Sequence, residues 1–332
     1  MICGFNDWLR VRLRLIYYAI IEFPWTIYTI VVGKGEYPSV RKAITKEPTS
    51  IDVYWAEHTV NAPRFHTAHQ SQKYLEWRFH AHPLFRELSG LYGDHENQTV
   101  VDYGCGPGND VTGFAIHSRA AKVIGIDISA RALTLTSRRL ALHKIDPARI
   151  ELIQISDSTS QIPLDDSAVD FVNCQGVFNH TSFPEGILRE FYRILNSKGA
   201  ACIMVYNRDS IWYNLFTAYE KKVIEGRFTN MSLDEAFSRS TDGENCPISR
   251  CFSPQQFTDT CTILGFKCKY MGGHFTPEEI ECQKRFLSDA VHDERLAEEQ
   301  RKFLAALQFD KQGLPLADGK YAGVGGVFHL TK

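Results

Sequence analysis

The first residues whose types and spacing could do chemistry are Asp102-Tyr103-Gly104-Cys105-Gly106-Pro107-Gly108-Asn109. The β-branched pair Val100-Val101 precedes them, so a strand is predicted to end at Asp102. Gly104 and Gly106 let the backbone turn sharply and approach a ligand, because glycine has no Cβ. Asn109 is predicted to cap the next helix, whose free N–H groups and positive dipole end favour an anionic group. The pattern therefore predicts a nucleotide-binding loop at the carboxyl end of a first strand.

Acidic and polar residues also follow the later predicted strands. Asp127 ends the apolar run 123–126, and a carboxylate there can accept from both hydroxyls of a ribose. Asp157 follows the apolar run 150–155, and Asn179-His180 follows the run 170–178. These side chains are expected to meet at one edge of the sheet.

The elements that must position these residues alternate between strands and helices. A helix is predicted to end at Gly199, since helices often end on glycine, and Ala201–Tyr206 is predicted to be a fifth strand. Phe266–Met271 and Gly325–Leu330 are predicted to complete the sheet. This order predicts a doubly wound α/β sheet.

The loop spacing, Asp-x-Gly-x-Gly-x-Gly, resembles motif I of class I S-adenosylmethionine (SAM) methyltransferases. A dinucleotide fingerprint would need glycine at 109, where this chain has Asn109. The order of elements over residues 98–206 resembles the small-molecule branch of that family, which includes the quinone-biosynthesis methyltransferases. The resemblance implies a seven-stranded Rossmann-like sheet with an N-terminal helical segment and an inserted helical cap.

The resemblance also implies which residues bind SAM, with S-adenosylhomocysteine as the product. The residues implied for its methionine part are Asp102, Gly104, Gly106 and Gly108. Those implied for its ribose and adenine are Asp127, Ile128, Asp157 and Ser158. Those implied for the floor near the sulfonium are Gln175, Gly176 and Val177.

The segment before the first strand corresponds to a lid over the cofactor in related methyltransferases. Tyr54 and Trp55 are expected to contact the methionine end there. Arg78 is expected to grip the cofactor carboxylate, since a guanidinium binds a carboxylate in bidentate fashion. A surface position for Arg78 and core packing for Trp55 are the structural alternatives.

A general base is needed if the methyl acceptor is a hydroxyl or an enol, but not if it is a free amine or a thiolate. His180 lies at the expected mouth of the site, and an imidazole exchanges protons near neutral pH. His58 and Tyr206 are the reserve candidates. Many relatives have a His-His pair where this chain has Asn179-His180. The alternative for His180 is a hydrogen bond to a loop backbone.

Composition indicates an ordinary enzyme core. The 332 residues include 44% hydrophobic residues and carry a net charge of −2, from 37 basic and 39 acidic side chains, which argues against nucleic-acid binding. The nine cysteines show no Cys-x-x-Cys pair, which favours buried thiols in a reducing cytoplasm over a metal site.

The chain is predicted to divide into five parts. They are an apolar, amphipathic segment (1–50), the lid (51–97), the SAM-binding core (98–206), an acceptor cap (207–252) and the rest of the sheet with a helical insertion (253–332). The aromatic stretch Ile211–Tyr219 in the cap suggests an apolar, flat or lipid-like acceptor, and ordinary core packing is the alternative for these side chains. Glu278–Leu307 is expected to be a charged helical stretch with an exposed face.

The apolar segment Leu13–Val32 has the length of a membrane span, but Arg14, Glu22 and Pro24 interrupt it. Three interpretations stay open: an interfacial helix on anionic lipid, a helix that caps the site or forms a homodimer, and a true span. The protein is expected to be cytoplasmic. Peripheral membrane contact through residues 1–33 is one alternative.

The function predicted from these residues is SAM-dependent transfer of a methyl group to a small-molecule acceptor by in-line displacement. One alternative is a non-catalytic SAM-binding or scaffold protein of the same fold. Another is an NAD-dependent oxidoreductase, against which the glycine spacing and Asp157 argue.

Overall fold

The structure is a computed structural model, and it describes residues 37–44, 46–59 and 62–332. The predictions for Leu13–Val32, and for membrane contact or dimerisation through residues 1–33, fall outside these residues. Within the described ranges, no helix combines the length and the apolar character needed to cross a bilayer.

Eleven strands form two sheets in the described part of the chain. Their bounds are β1 Val40–Lys42, β2 Thr99–Tyr103, β3 Lys122–Asp127, β4 Ile150–Gln154, β5 Val169–Gln175, β6 Leu195–Tyr206, β7 Lys267–His274, β8 Gln308–Phe309, β9 Pro315–Ala317, β10 Lys320–Tyr321 and β11 Gly325–Thr331. Eight of them form the main sheet in the order β1-β4-β3-β2-β5-β6-β11-β7, and β10-β9-β8 form a small second sheet.

The main sheet is parallel from β1 to β6, and β11 runs antiparallel to both β6 and β7. The predicted α/β class with a doubly wound sheet is confirmed. The sheet has one strand more than predicted, because Val40–Lys42 pairs with Leu152–Gln154 and extends the edge beside β4.

Ten α-helices flank the strands among the described residues. Their bounds are α1 Ser50–Glu57, α2 Ala68–Ala81, α3 Phe85–Ser89, α4 Asn109–His117, α5 Ala130–Leu142, α6 Pro184–Ile194, α7 Leu233–Thr241, α8 Pro254–Ile263, α9 Pro277–His292 and α10 Glu298–Ala305. A 3-10 turn at Pro147–Arg149 precedes β4, and a π-helix spans Trp212–Ile224.

The central strands are buried on both faces, as their continuous apolar runs predict for a parallel sheet. Alternate side chains point to opposite faces. Val101 and Ile124 pack in one apolar cluster with α6 and α8, whereas Val100 and Val123 pack in another with α4 and α5. Both layers of helices therefore rest on β2 and β3, which fixes the carboxyl ends of these strands.

Two helix boundaries differ from the predictions. Gly108 rather than Asn109 is the N-cap of α4, and the side-chain oxygen of Asn109 accepts a hydrogen bond from Arg139 instead. Helix α6 ends at Ile194, and Gly199 lies within β6. Asn196, Ser197 and Lys198 lie in the part of β6 that extends beyond the buried core of the sheet. Because their side chains are polar, this part of the strand has the composition of a loop.

The prediction of an exposed charged stretch at Glu278–Leu307 was wrong in part. The stretch forms α9 and α10, and one side of each is buried against the π-helix, with Cys282 and Leu304 in a third apolar cluster. Glu279 is fully buried and its carboxylate accepts from the backbone N–H groups of Thr276 and Val324. The many charged residues of the stretch belong to the faces of α9 and α10 that point away from the π-helix.

Candidate active site

A cavity of about 400 Å³ opens at the carboxyl ends of β2, β3, β5 and β6, with α1 and α2 on its outer side. We call it the cleft. Most of the predicted site residues line it: His58, Arg78, Gly104, Gly106, Asp127, Ile128, Asp157, Gln175, Gly176, His180 and Tyr206. Tyr54, Asp102, Gly108 and Ser158 are not among its lining residues.

The glycine loop forms the inner wall of the cleft. The backbone N–H of Gly104 donates to the carbonyl of Ile126 at 2.7 Å, and that of Gly106 donates to Asp127 Oδ2 at 2.7 Å. Gly104 has φ +75°, and a Cβ there would lie 2.1 Å from Val177 Cγ2. At Gly106, with φ +53°, a Cβ would meet no atom within 4 Å. The loop is therefore held against the sheet at Gly104 and open to a ligand at Gly106.

Asp127 is 9% exposed at the end of β3, beside this loop. Its Oδ1 accepts from the backbone N–H of Ser129 at 2.8 Å, and its Oδ2 accepts from Gly106. Burial raises the pKa of Asp127, and these backbone hydrogen bonds oppose that rise. Each carboxylate oxygen keeps a second acceptor position, so the fixed carboxylate fits the paired hydroxyls of a ribose.

Asp102 lies beneath the loop and is 3% exposed. Its Oδ1 accepts from Asn173 Nδ2 at 2.8 Å, but its Oδ2 is buried without a hydrogen-bond partner in the described residues. Burial, with the nearby charge of Asp110, raises the pKa of Asp102 well above its usual range. The open space at Gly106 fits the close approach of a ligand such as SAM, whereas Asp102 supports the loop from behind the lining of the cleft.

Asp157 connects the core to the lid. Its backbone N–H donates to Asp52 Oδ1 at 2.9 Å, and Ser156 Oγ donates to Asp52 Oδ2 at 2.7 Å. The carboxylate of Asp157 accepts from Thr181 Oγ1 at 2.6 Å. Helix α1 is thus fastened over the loop that follows β4, and the backbone N–H of Ser158 donates to Ser156 Oγ within that loop.

Arg78 lies on α2 and faces the cleft, with a side chain that is 13% exposed. It forms an ion pair with Asp110 Oδ1 at 2.8 Å, and Tyr92 donates to the same oxygen at 2.6 Å. Because Asp110 is in the first turn of α4, this pair joins the lid to the helix that follows the glycine loop. The alternative of a surface position for Arg78 is wrong.

His180 reaches the opposite wall of the cleft and is 7% exposed. Its Nδ1 lies 2.8 Å from the carbonyl oxygen of Ile248, which can only accept, so Nδ1 is the protonated nitrogen of the neutral ring. Nε2 then carries the lone pair, and it lies 3.8 Å from Asp242 Oδ2. The indole of Trp55 packs against the imidazole, with the two ring centroids 4.8 Å apart.

Asp242 is held by hydroxyl groups on both of its oxygens. Tyr206 donates to Oδ1 at 2.8 Å and Ser249 donates to Oδ2 at 2.8 Å, while Tyr54 donates to the backbone carbonyl at 2.9 Å. Burial and the charge of Asp242 raise the pKa of Tyr206 well above its usual range. Tyr206 therefore acts as a hydrogen-bond donor at neutral pH rather than as a base.

His58 lies at the exposed mouth of the cleft, stacked 4.1 Å from the ring of Tyr54. Its Nδ1 is 2.8 Å from the carbonyl of Tyr54, one helical turn earlier.

Sequence reasoning did not identify Asp242. The only signal was its place in the turn-rich segment Ser240–Pro247. Its neighbours Tyr54, His180 and Tyr206 come from distant parts of the chain, so the sequence alone does not bring them together.

A metal site finds no support in the described part of the chain, where no group of three or more His, Cys, Asp or Glu side chains could hold an ion. The eight cysteines described are free thiols.

Comparisons with known proteins identify the family to which the chain is similar. The family described as "Methyltransferase domain" matches residues 94–260, half of the chain. An uncharacterized protein of Rickettsia prowazekii is 27% identical over 161 residues, which cover 46% of this chain and 62% of that protein. A ubiquinone biosynthesis O-methyltransferase of Nitrosomonas europaea is 25% identical over 124 residues, 37% of this chain and 49% of that protein.

The chain therefore spans less than two thirds of the length of these curated relatives. Among solved structures, the YcgJ protein of Bacillus subtilis superposes with a TM-score of 0.46 at 13% identity, over 80% of this chain and 98% of that one.

Proposed function

We propose that the protein methylates a hydroxyl group of a small-molecule acceptor. The premise is that the chain belongs to the methyltransferase-domain family and takes S-adenosylmethionine as its cofactor. The observation that carries the choice of a hydroxyl is the position of His180 Nε2, which lies in the cleft wall beside Asp242 while Nδ1 is engaged by the carbonyl of Ile248. A free amine or thiolate would not need such a base.

The inner half of the cleft would hold the cofactor. Asp127 would accept from the ribose hydroxyls, and the loop Gly104–Gly108 would surround the methionine part, with the free oxygen of Asp102 beneath it. Arg78 would bind the cofactor carboxylate with the nitrogens that Asp110 leaves free. When bound, SAM supplies an electrophilic methyl group on a good leaving group.

The outer half would prepare the acceptor. His180 Nε2 would take the proton of the acceptor hydroxyl, and the carboxylate of Asp242 would then stabilise the imidazolium that forms. Tyr206 and Ser249 keep that carboxylate in place through their hydrogen bonds. Trp55 covers the imidazole and limits the access of water, which would compete for the proton.

The walls of this outer half indicate an acceptor with apolar surface. Phe85, Met204 and Val324 line the cleft together with the aromatic residues Trp55 and Tyr206. A small ring compound with a hydroxyl group would bury its faces against these side chains and present its oxygen to His180.

The test is transfer of the labelled methyl group of SAM into fractionated cell extract, with mass spectrometry of the product. On the acceptor so identified, His180→Ala should lower the transfer rate by about 10²–10⁴-fold. Its SAM affinity should stay within about twofold, because no cofactor-binding role requires the imidazole. His329→Ala is the matched control, since it removes a histidine of β11 outside the lining of the cleft.

Near-full turnover by the His180→Ala enzyme would contradict the role of His180 as base. SAM binding without transfer to any fraction would contradict the proposed activity itself.

A further inference from the structure

A second group of polar side chains enters the cleft from the other edge of the sheet, far in sequence from His180. His274 is the last residue of β7 and lines the cleft, with 6% of its surface exposed. Both of its ring nitrogens are buried, and neither has a hydrogen bond of acceptable geometry in the part of the chain that the structure describes, although the backbone of Phe275 lies close enough to oppose the fall in the pKa of the ring. Leaving two such groups unpaired is costly, so the arrangement needs an explanation.

The position of this imidazole is set by the backbone of the neighbouring strand. His274 pairs with Gly325 of β11, and a Cβ on Gly325 would lie 2.0 Å from His274 Nε2. Phe85 packs against the imidazole with ring centroids 4.8 Å apart. A side chain at position 325 would therefore displace the ring, and glycine there makes room for it beside the cleft.

His82 brings a second imidazole to the same place. It follows α2, lines the cleft, and lies 6.0 Å from His274 between ring centroids. Its Nδ1 is also buried without a partner among the described residues. The two rings thus present three unpaired nitrogens where α2 and β7 meet.

Both rings are uncharged near neutral pH. Burial and the neighbouring His82 and Arg78 lower the pKa of His274 to about 3, and burial and Arg78 lower the pKa of His82. A neutral imidazole offers one N–H donor and one acceptor. The positive Arg78 nearby disfavours a cationic ligand, and its own charge is paired with Asp110 and assigned to the cofactor carboxylate, so an anion bound to the two neutral rings would have no charge of its own to pair with. The matching group is an uncharged oxygen.

We propose that His82 and His274 form a second polar subsite of the cleft, which binds an uncharged hydroxyl or carbonyl oxygen of the methyl acceptor, other than the oxygen presented to His180. This proposal deepens the proposed function, and it rests on that function for the identification of the ligand as the methyl acceptor. It implies that the acceptor carries two oxygens, joined by an apolar body.

The experiment measures binding of matched probes to the full chain saturated with S-adenosylhomocysteine. The probes are resorcinol against 3-methylphenol, and 4,4'-dihydroxybiphenyl against 4-hydroxybiphenyl. In at least one pair, the second hydroxyl should improve the dissociation constant by about tenfold in the native protein. In His274→Phe that advantage should disappear, because the variant keeps an aromatic side chain, slightly larger than imidazole, and loses both nitrogens.

His329→Phe is the matched control. His329 also has a buried, unpartnered ring nitrogen, but it lies outside the lining of the cleft, so the advantage should persist there. If His274→Phe does not fold, His82→Phe provides the same comparison at a partly buried position.

Three results would overturn the subsite. One is that the second hydroxyl does not improve the dissociation constant in the native protein. An ordered water would then be the partner of these nitrogens. Another is the same advantage in His274→Phe. The third is a tenfold or larger loss of S-adenosylhomocysteine affinity in His274→Phe, which would assign the pair to the cofactor. Since binding is measured without turnover, failure of methyl transfer would contradict the proposed function and leave this result unaffected.

Discussion

The two halves of the cleft are built in different ways. The glycine loop and Asp127 of the inner half come from one continuous segment, Asp102–Ser129, and backbone N–H groups of that segment fix the Asp127 carboxylate. The outer half comes from side chains whose hydrogen bonds, to another side chain or to a backbone carbonyl, span 36, 68 and 188 positions of sequence. The inner half thus depends on backbone geometry, whereas the outer half can change by substitution without altering the strands beneath it.

The largest effect is expected where the backbone geometry is broken. Gly104→Val should abolish SAM binding, because the residue has φ +75° and the new Cβ would lie 2.1 Å from Val177 Cγ2. Calorimetric titration measures the affinity, and circular dichroism verifies the fold. Gly226→Val is the control, since Gly226 has φ +66° but no atom within 4 Å of an added Cβ. Normal binding by the Gly104 variant would refute the backbone-built inner half.

Breaking the outer half should leave SAM binding intact and lower turnover. Asp242→Asn removes the charge that would stabilise protonated His180, so the methyl-transfer rate should fall by about 10²-fold. Tyr206→Phe should cost less, because Ser249 still donates to Asp242. Initial rates and SAM affinity are measured for both variants. A loss of SAM affinity equal to the loss of rate would mean that the two halves are not separable.

A smaller loss is expected when one side chain of the inner half is removed. Asp127→Ala should weaken SAM by about 1–3 kcal/mol, because two ribose hydroxyls lose their acceptor. The matched variant Asp170→Ala removes a carboxylate on β5 that does not line the cleft, and it should keep native affinity. Unchanged affinity in Asp127→Ala, measured by calorimetry, would show that the ribose is bound elsewhere.

The last effect concerns stability in acid and leaves binding and turnover aside. The pKa of His274 is lowered to about 3, whereas an imidazole in the unfolded chain titrates near about 6.5. The unfolded state therefore binds the proton first, so this contribution to stability is present above about pH 6.5 and is lost as the pH falls toward 3. His274→Phe should flatten the decline in the free energy of unfolding between pH 7 and 4, measured with urea. An equally steep decline in the variant would argue against a neutral buried ring.

The same contrast explains how far sequence could predict the molecule. The main strands, the glycine loop and Asp127 follow from contiguous apolar runs and fixed spacing, and the structure places them together. Asp242 could not be predicted, because its role depends on Tyr206 and Ser249 folding toward it. The edge strand β1 has only the three residues Val40–Lys42 and no alternating pattern, so its pairing with β4 decides its conformation.

Asn109 shows a further limit. Its type suits a helix cap, but Gly108 already occupies the left-handed cap position, and Arg139 binds the freed side-chain oxygen. Local preference alone gave the wrong residue because a long-range contact competes for the same side chain.

The order of the strands has a consequence for synthesis on the ribosome. Strand β7 joins the main sheet through β11, and β11 also pairs with β6. The strands from β1 to β6 can associate while the later residues are still being made, but β7 must wait for Gly325–Thr331. Until then the edge of β6 and the apolar face of β7 stay uncovered, which is when a nascent chain is most prone to aggregate. The inner half of the cleft can thus form before the wall that contains His274.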